Sequence, residues 1–238
     1  MEAAGYTTVT RQIGLLREMQ IIANNIANAS TTGFRQEGLI FSEYVADTQN
    51  GPSLSMASGN IRNTSFQQGA LTATGARLDF AIEGDGFFLV QTPGGERLTR
   101  AGNFTTNAVG ELVTLDGNRV LDSGGAPIFI PPDSGTLGMA ADGTISADGR
   151  PLGQIGVVRP AQESELSREG GVLFRAKGPI EPAPEARIVQ GYLEASNVDP
   201  ILQVSRMIEV QRGYELGQSF LDAEDKRVRE AMRAMTRA

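Results

Sequence analysis

The feature that most constrains this chain is a seven-residue spacing near its C-terminus, where Met207, Tyr214, Leu221, Val228 and Met235 recur in step. A repeat of seven keeps side chains on one face of a helix, whereas on a strand it would throw them alternately to opposite faces. Val204 and Met232 partly fill the intermediate row, while Gln211, Gln218 and Asp225 interrupt it, so the seam is not a self-sufficient zipper. Asp199 reads as the N-cap and Pro200 as the first helical residue. About 36 residues at ~1.5 Å each make a rod of about 54 Å. The spacings Asp222 to Lys226 and Asp225 to Arg229 add support of about a few tenths of a kcal/mol each.

A helix of this length needs a partner, and the other end of the chain offers one. From Tyr6 to Ala29, Leu15, Met19, Ile22 and Ile26 alternate at steps of four and three, with Val9, Ile13 and Leu16 widening the stripe. The helix is expected to end near Ser30 to Gly33, with Gly33 as a left-handed cap.

Between the helices the pattern changes to short runs such as Phe87 to Val90, Glu111 to Leu115, Ile128 to Ile130 and Gln154 to Val158. Turn signals at Asp85-Gly86, Pro93-Gly94-Gly95, Asp116-Gly117, Gly124-Gly125, Asp142-Gly143 and Asp148-Gly149 indicate hairpins. The segment from Gln49 to Gly59 reads as a mobile loop and Pro179 to Pro184 as a stiff exposed connection. The expected fold class is α+β, mainly β: a central all-β domain flanked by N- and C-terminal helices that pair as a coiled coil. The expected division is an N-terminal helix over 1–33, a connecting arm over 34–77, a β-rich domain over 78–197 and a C-terminal helix over 198–238.

Composition narrows the function. The chain has no histidine and no cysteine, which removes imidazole proton shuttles, Ser-His-Asp catalysis, thiolate nucleophiles, disulfides and the usual zinc ligands. No catalytic, cofactor or metal residue is therefore expected. A net charge of -7 without a Lys/Arg run argues against nucleic acid and anionic membranes. With 6% aromatics and no tryptophan, a small-molecule substrate pocket is not expected either. Arg17, Glu18, Asn24 and Asn25 interrupt the N-terminal apolar residues, so that segment is expected neither as a cleaved leader nor as a membrane insertion.

Two helices bury only one side of each other. The wide N-terminal stripe leaves apolar area for neighbouring copies, at about 25 cal/mol per Å² covered, and a head-to-tail contact would build a ring or a helical tube. In the alternative reading the helices cap the β body in a monomer, or stay disordered until partners arrive. A glycosidase-like use of Asp79, Glu83 and Asp85 lacks the opposed geometry. A secreted calcium-binding β protein would explain the Asp-Gly pairs, yet no D-x-[DN]-x-[DN]-G loop with a downstream Glu is present.

Three blocks resemble one family. ANNIANASTTGFRQ (Ala23 to Gln36), LDFAIEGDGFFLVQTPGGERLTRAGNFTTNAVGELVTLDGNRVL (Leu78 to Leu121) and QGYLEASNVDPILQVSRMIEVQRGYE (Gln190 to Glu215) are similar to the motifs of flagellar rod and hook axial proteins. The short chain fits the proximal rod type, with the distal rod type as the alternative. The resemblance implies a subunit of the shaft that crosses the bacterial periplasm, exported by the flagellar type III apparatus without leader cleavage. Its implied partners are other copies of itself and other rod proteins, and its terminal helices would form the inner layer. In that frame Asn24, Asn25 and Asn28 bond between packed helices or cap the helix end, Gly33 supplies a left-handed turn, and Phe34 anchors helix to β body. Gly84, Asp85 and Gly86 make a tight turn before the core residues Phe87 and Phe88. Asn197 and Asp199 start the last helix, and Gln211, Arg212 and Tyr214 contact neighbouring subunits.

Overall fold

The computed structural model describes residues 2–46 and 54–236, with backbone only for 2–6, 41–46, 54–62 and 163. The chain forms two compact units: 1–29, 36–66 and 198–238 make the first, 30–35 and 67–197 the second.

In the first unit, helix α1 (Glu2–Ala27) and helix α2 (Pro200–Met235) lie against each other, accompanied by a hairpin of strands β1 (Glu37–Ala46) and β2 (Leu54–Thr64) that packs on α1. Asp199 caps α2, its carboxylate accepting from the backbone N–H of Ile201 at 2.9 Å and of Leu202 at 3.1 Å. That satisfies two of the donors a helix start leaves unpaired, and Pro200 has none to lose. Along α2, Arg229 pairs with Asp225 as the spacing predicts, but the second pair is Arg227 with Glu224 and not Lys226 with Asp222.

Two expectations change here. α1 ends at Ala27, six residues before Gly33; Asn28 gives its N–H to the Asn24 carbonyl as the last i to i−4 bond, and its side-chain amide donates to the same oxygen. Leu54–Gly59, read as part of a loop, is strand: antiparallel pairing with 37–46 overrides the weak strand propensity of its Ser, Gly and Asn. The rest of that expected loop, 49–53, lies outside the described residues.

The second unit is a stack of antiparallel ladders. Strand β3 (Leu71–Ala73) pairs with Tyr192–Glu194, and β4 (Phe80–Glu83) with Arg187–Gln190. Strand β5 (Phe87–Thr92) is the hub, bonded to β6 (Gly95–Thr99), to Arg119–Val120 and to Val157–Pro160. Phe80, Ile82, Phe88, Val90, Phe104, Leu112, Ile145, Ile155 and Ile188 share one core, in which Phe88 meets Phe104 edge-on at 5.2 Å and 76°. Asp148 and Gly149 both take positive φ, 50° and 79°, which closes a tight hairpin between Thr144–Ala147 and Arg150–Gln154. Ile128 and Ile130 are buried while Phe129 between them is half exposed and held by an isolated bridge to Glu111, and the run 154–158 breaks at Ile155-Gly156 between two strands. Ile180–Pro182, read as an exposed connection, pairs with Val157–Pro160, where proline is tolerated on an edge.

Candidate assembly interface

The α1–α2 seam is unusually polar. Asn25, 1% exposed, donates to the Glu37 carbonyl at 2.7 Å and to Gln203 Oε1 at 3.1 Å, and accepts from the Glu37 N–H at 3.0 Å. The amide thus imitates a strand neighbour for the first residue of β1 while reaching across to α2. Further along, Arg206 donates through Nε and Nη2 to Glu18 Oε1, both at 2.8 Å. The hydrogen bond to Glu18 raises the Arg206 pKa. Gln12 Nε2 donates to the Tyr214 carbonyl at 2.8 Å. Partners that climb α1 as they descend α2 show that the two helices run antiparallel. Buried amides of this kind set register, since a slipped pairing would strand them without partners.

The row expected at Met207, Tyr214 and Leu221 is half-buried, and Ile22 is buried with Leu15, Met19 and Ile26 half-buried beside it. The intermediate row of α2 is not the one the apolar residues suggested. Val204 and Met232 are exposed, and the second seam row is Gln203, Val210, Gly217 and Glu224. Apolar content misled because the row is selected by fit: Gln203 is needed by Asn25, and Gly217 lets Gln12 approach. Asn24, Gln211, Arg212 and Val228 are exposed, and Gln211 bonds Glu215 one turn on.

Apolar residues face solvent on both helices, among them Ile201, Val204 and Ile208 near the start of α2. Val9, Ile13 and Leu16 lie on the α1 face away from the seam, and Val228, Met232 and Met235 lie on the last turns of α2, where every residue from 225 to 236 is exposed.

In the β unit, Gly33 is left-handed at φ 68°, and a Cβ there would sit 2.4 Å from Ala101 N and from Arg100 C. Its role is close approach to the β6 exit, not capping of α1. Phe34 is buried under the Arg168 guanidinium, 4.4 Å from the ring centre, and its carbonyl accepts from Asn197 N–H. Asn197 Nδ2 also donates to the Gln67 carbonyl at 2.8 Å. Gly84 and Gly86 take φ 94° and 140°, and Phe87 and Phe88 behind them are buried.

Sequence reasoning missed the cluster that joins these pieces. Glu194, 1% exposed, bonds Arg35 Nη1 at 2.7 Å and Arg100 Nη1 at 3.2 Å, and accepts from Gly69 N–H at 2.9 Å. Arg100 Nη2 donates to the Gly84 carbonyl at 2.6 Å, so the turn is wired into the cluster. Burial pushes the Arg100 pKa down to about 10 against the opposing pull of Glu194, with Arg35 adding to the depression. Burial lowers Arg35 likewise. Three isolated charges, 35, 100 and 194, carry no local signal in the sequence, since each looks like a surface residue until the fold removes its water.

No group of His, Cys, Asp or Glu suited to a metal occurs among the described residues, and no described helix is long and apolar enough to cross a membrane.

Three family models match in chain order: the flagella basal body rod protein model over residues 6–35, the flagellar hook protein FlgE/F/G D1 domain over 81–147, and the flagellar basal body rod FlgEFG protein C-terminal model over 189–234. The flagellar basal-body rod protein FlgF of Caulobacter vibrioides is 45% identical over 230 residues, covering 93% of each chain. The chain belongs to the flagellar basal-body rod protein family. Other rod-family relatives include FlgF of Mesorhizobium japonicum, 38% identical over 90% of each chain, and FlgG of Bacillus subtilis, 33% identical over 94% of this chain and 96% of the relative. On this rod-family chain, the N- and C-terminal models fall mainly on α1 and α2, and the D1 model falls on the ladders around β5.

Proposed function

We propose that this chain is a structural subunit of the proximal rod, with α1 and α2 pairing as a coiled coil and their outer faces covered by sister copies and neighbouring rod proteins. It is exported through the flagellar type III apparatus without leader cleavage, stands within the periplasm, and transmits torque rather than catalysing a reaction. The observation that carries the reading is the pair of exposed apolar rows, Val9-Ile13-Leu16 and Val228-Met232-Met235, on helices whose shared seam is polar. Apolar rows kept outward on a polar-seamed pair gain cover only by association. The greater identity to FlgF than to FlgG relatives favours the proximal over the distal position.

The test is the double variant Ile13→Asp, Met232→Asp. Both side chains are about half exposed, so the monomer should melt as wild type, while incorporation into isolated basal bodies and swimming are lost. Normal incorporation of the variant would overturn the reading.

A further inference from the structure

The chain passes between its two units four times, at 29/30, 35/36, 66/67 and 197/198. Inside the β unit, the residues beside all four passages are bonded to one another. The entering segment gives Gly33 N–H to the Glu194 carbonyl at 2.8 Å and accepts Asn197 N–H on the Phe34 carbonyl at 3.3 Å. Arg35, the last residue before the chain leaves again, spans the same gap with its side chain, pairing with Glu194 at 2.7 Å and donating to the Gln67 carbonyl. The segment that returns closes the set: Asn197 Nδ2 donates to the Gln67 carbonyl at 2.8 Å, and Ala195 N–H to the Ala70 carbonyl at 2.8 Å. Backbones touch directly here, since a Cβ at Gly69 would lie 2.0 Å from the Ala195 carbonyl oxygen.

These bonds stand at the mouth of a closed loop. About 160 residues lie between Gly33 and Glu194, and they include the whole core from Phe80 to Ile188. Tension arriving along the chain at residues 30 and 197 therefore meets the pairing of 33–35 with 194–197 before it meets any sheet. The backbone bonds advance in the same sense along both segments, 33 with 194 and 34 with 197, so pulling slides the segments past each other and strains the bonds together. The ionised pair of Arg35 and Glu194 adds a contact stronger than the neutral bonds beside it.

We propose that this pairing is the mechanical clamp of the β unit: it passes force from the entering to the leaving segment and shields the sheets behind it. The proposal rests on the rod-subunit reading, which supplies the force. Forced unfolding follows the unfolding rate, so a contact that must break at the barrier counts fully and one that persists behind it does not. Arg35 is of the first kind, because it joins the two segments. Arg100 is of the second: it holds Glu194 from the body of the unit, where its guanidinium also donates to the Ile82 and Gly84 carbonyls.

The chain has no cysteine, so the full-length protein can be tethered through Ser30→Cys and Ile201→Cys, both at exposed positions. Under constant force, Arg35→Met should shorten the folded lifetime about tenfold, the loss of one charge-assisted bond. Arg100→Met should stay within about twofold of wild type. Each substitution leaves one buried cation against Glu194, so urea melts should show similar equilibrium losses for the two. Equal lifetimes for the variants, or a shorter one for Arg100→Met, overturn the proposal. A second arm leaves the cluster untouched: with the wild-type cluster pulled at constant speed, the first rupture should show the highest force, and the rest of the loop, about 560 Å of chain, should follow below it. A later rupture at higher force places the resistance in the sheets and overturns the clamp as well. Either failure leaves the rod-subunit reading intact, since that reading falls with normal incorporation of the Ile13→Asp, Met232→Asp variant.

Discussion

Replacing Glu194 by glutamine isolates the physics of the buried cluster. The carboxylate is the buried anion bonded to both buried guanidiniums, with the exposed Asp85 acting on them only through space, so the change removes one negative charge from their midst at almost constant volume. Glutamine keeps one acceptor oxygen but turns an NH2 toward a guanidinium that already has an unpaired buried Nε. Breaking a buried pair by removing one partner costs about 3–5 kcal/mol, since the orphaned charge has no water to return to. At about 4 °C per kcal/mol for a unit of this size, the β-unit transition should fall by about 12–20 °C. Differential scanning calorimetry measures it, with Arg100→Met as the internal comparison. That variant leaves Arg35 and Glu194 balanced one to one, and should lose only about 1–2 kcal/mol through the bonds to the Ile82 and Gly84 carbonyls. A loss below about 1 kcal/mol for Glu194→Gln, or an equal loss for both variants, would refute the charge argument.

The Arg100 pKa, lowered by burial to about 10 from its higher unfolded value, has a definite sign: between those values the unfolded chain binds more protons, so this group adds stability as pH rises and withdraws it as pH falls through 10. The stability of wild type relative to Arg100→Met should therefore climb from pH 9 to 11, at up to about 1.4 kcal/mol per pH unit, in paired urea melts; a flat difference refutes it. Gly33→Ala forces a Cβ to within 2.4 Å of backbone at φ 68° and should cost the β unit more than about 2 kcal/mol by denaturant melt. Asn25→Leu strands the Glu37 N–H and carbonyl and the Gln203 amide, and should lower the helix-unit stability by about 3 kcal/mol, read from helical circular dichroism on heating.

Periodicity determined much of this protein. The heptad of Met207 through Val228, the Asp199-Pro200 start and the alternating stripe of α1 are local signals, written in side-chain spacing and cap chemistry, and they placed both helices to within a few residues. The Asp-Gly turns and the Phe87-Phe88 core strand were legible for the same reason, because a tight turn constrains its own few residues whatever surrounds it. The three motif blocks carried the family, which the relatives then established along nearly the whole chain. Tertiary structure decided the rest. Which row of α2 faces α1 depended on where Asn25 and Gln12 needed partners, and Glu194 became the centre of a buried cluster only because residues 35 and 100 are brought to it from far along the chain. Burial and long-range pairing are properties of the folded arrangement. An isolated charge, amide or glycine therefore reads alike in sequence whether it ends in solvent or at the point on which a unit depends.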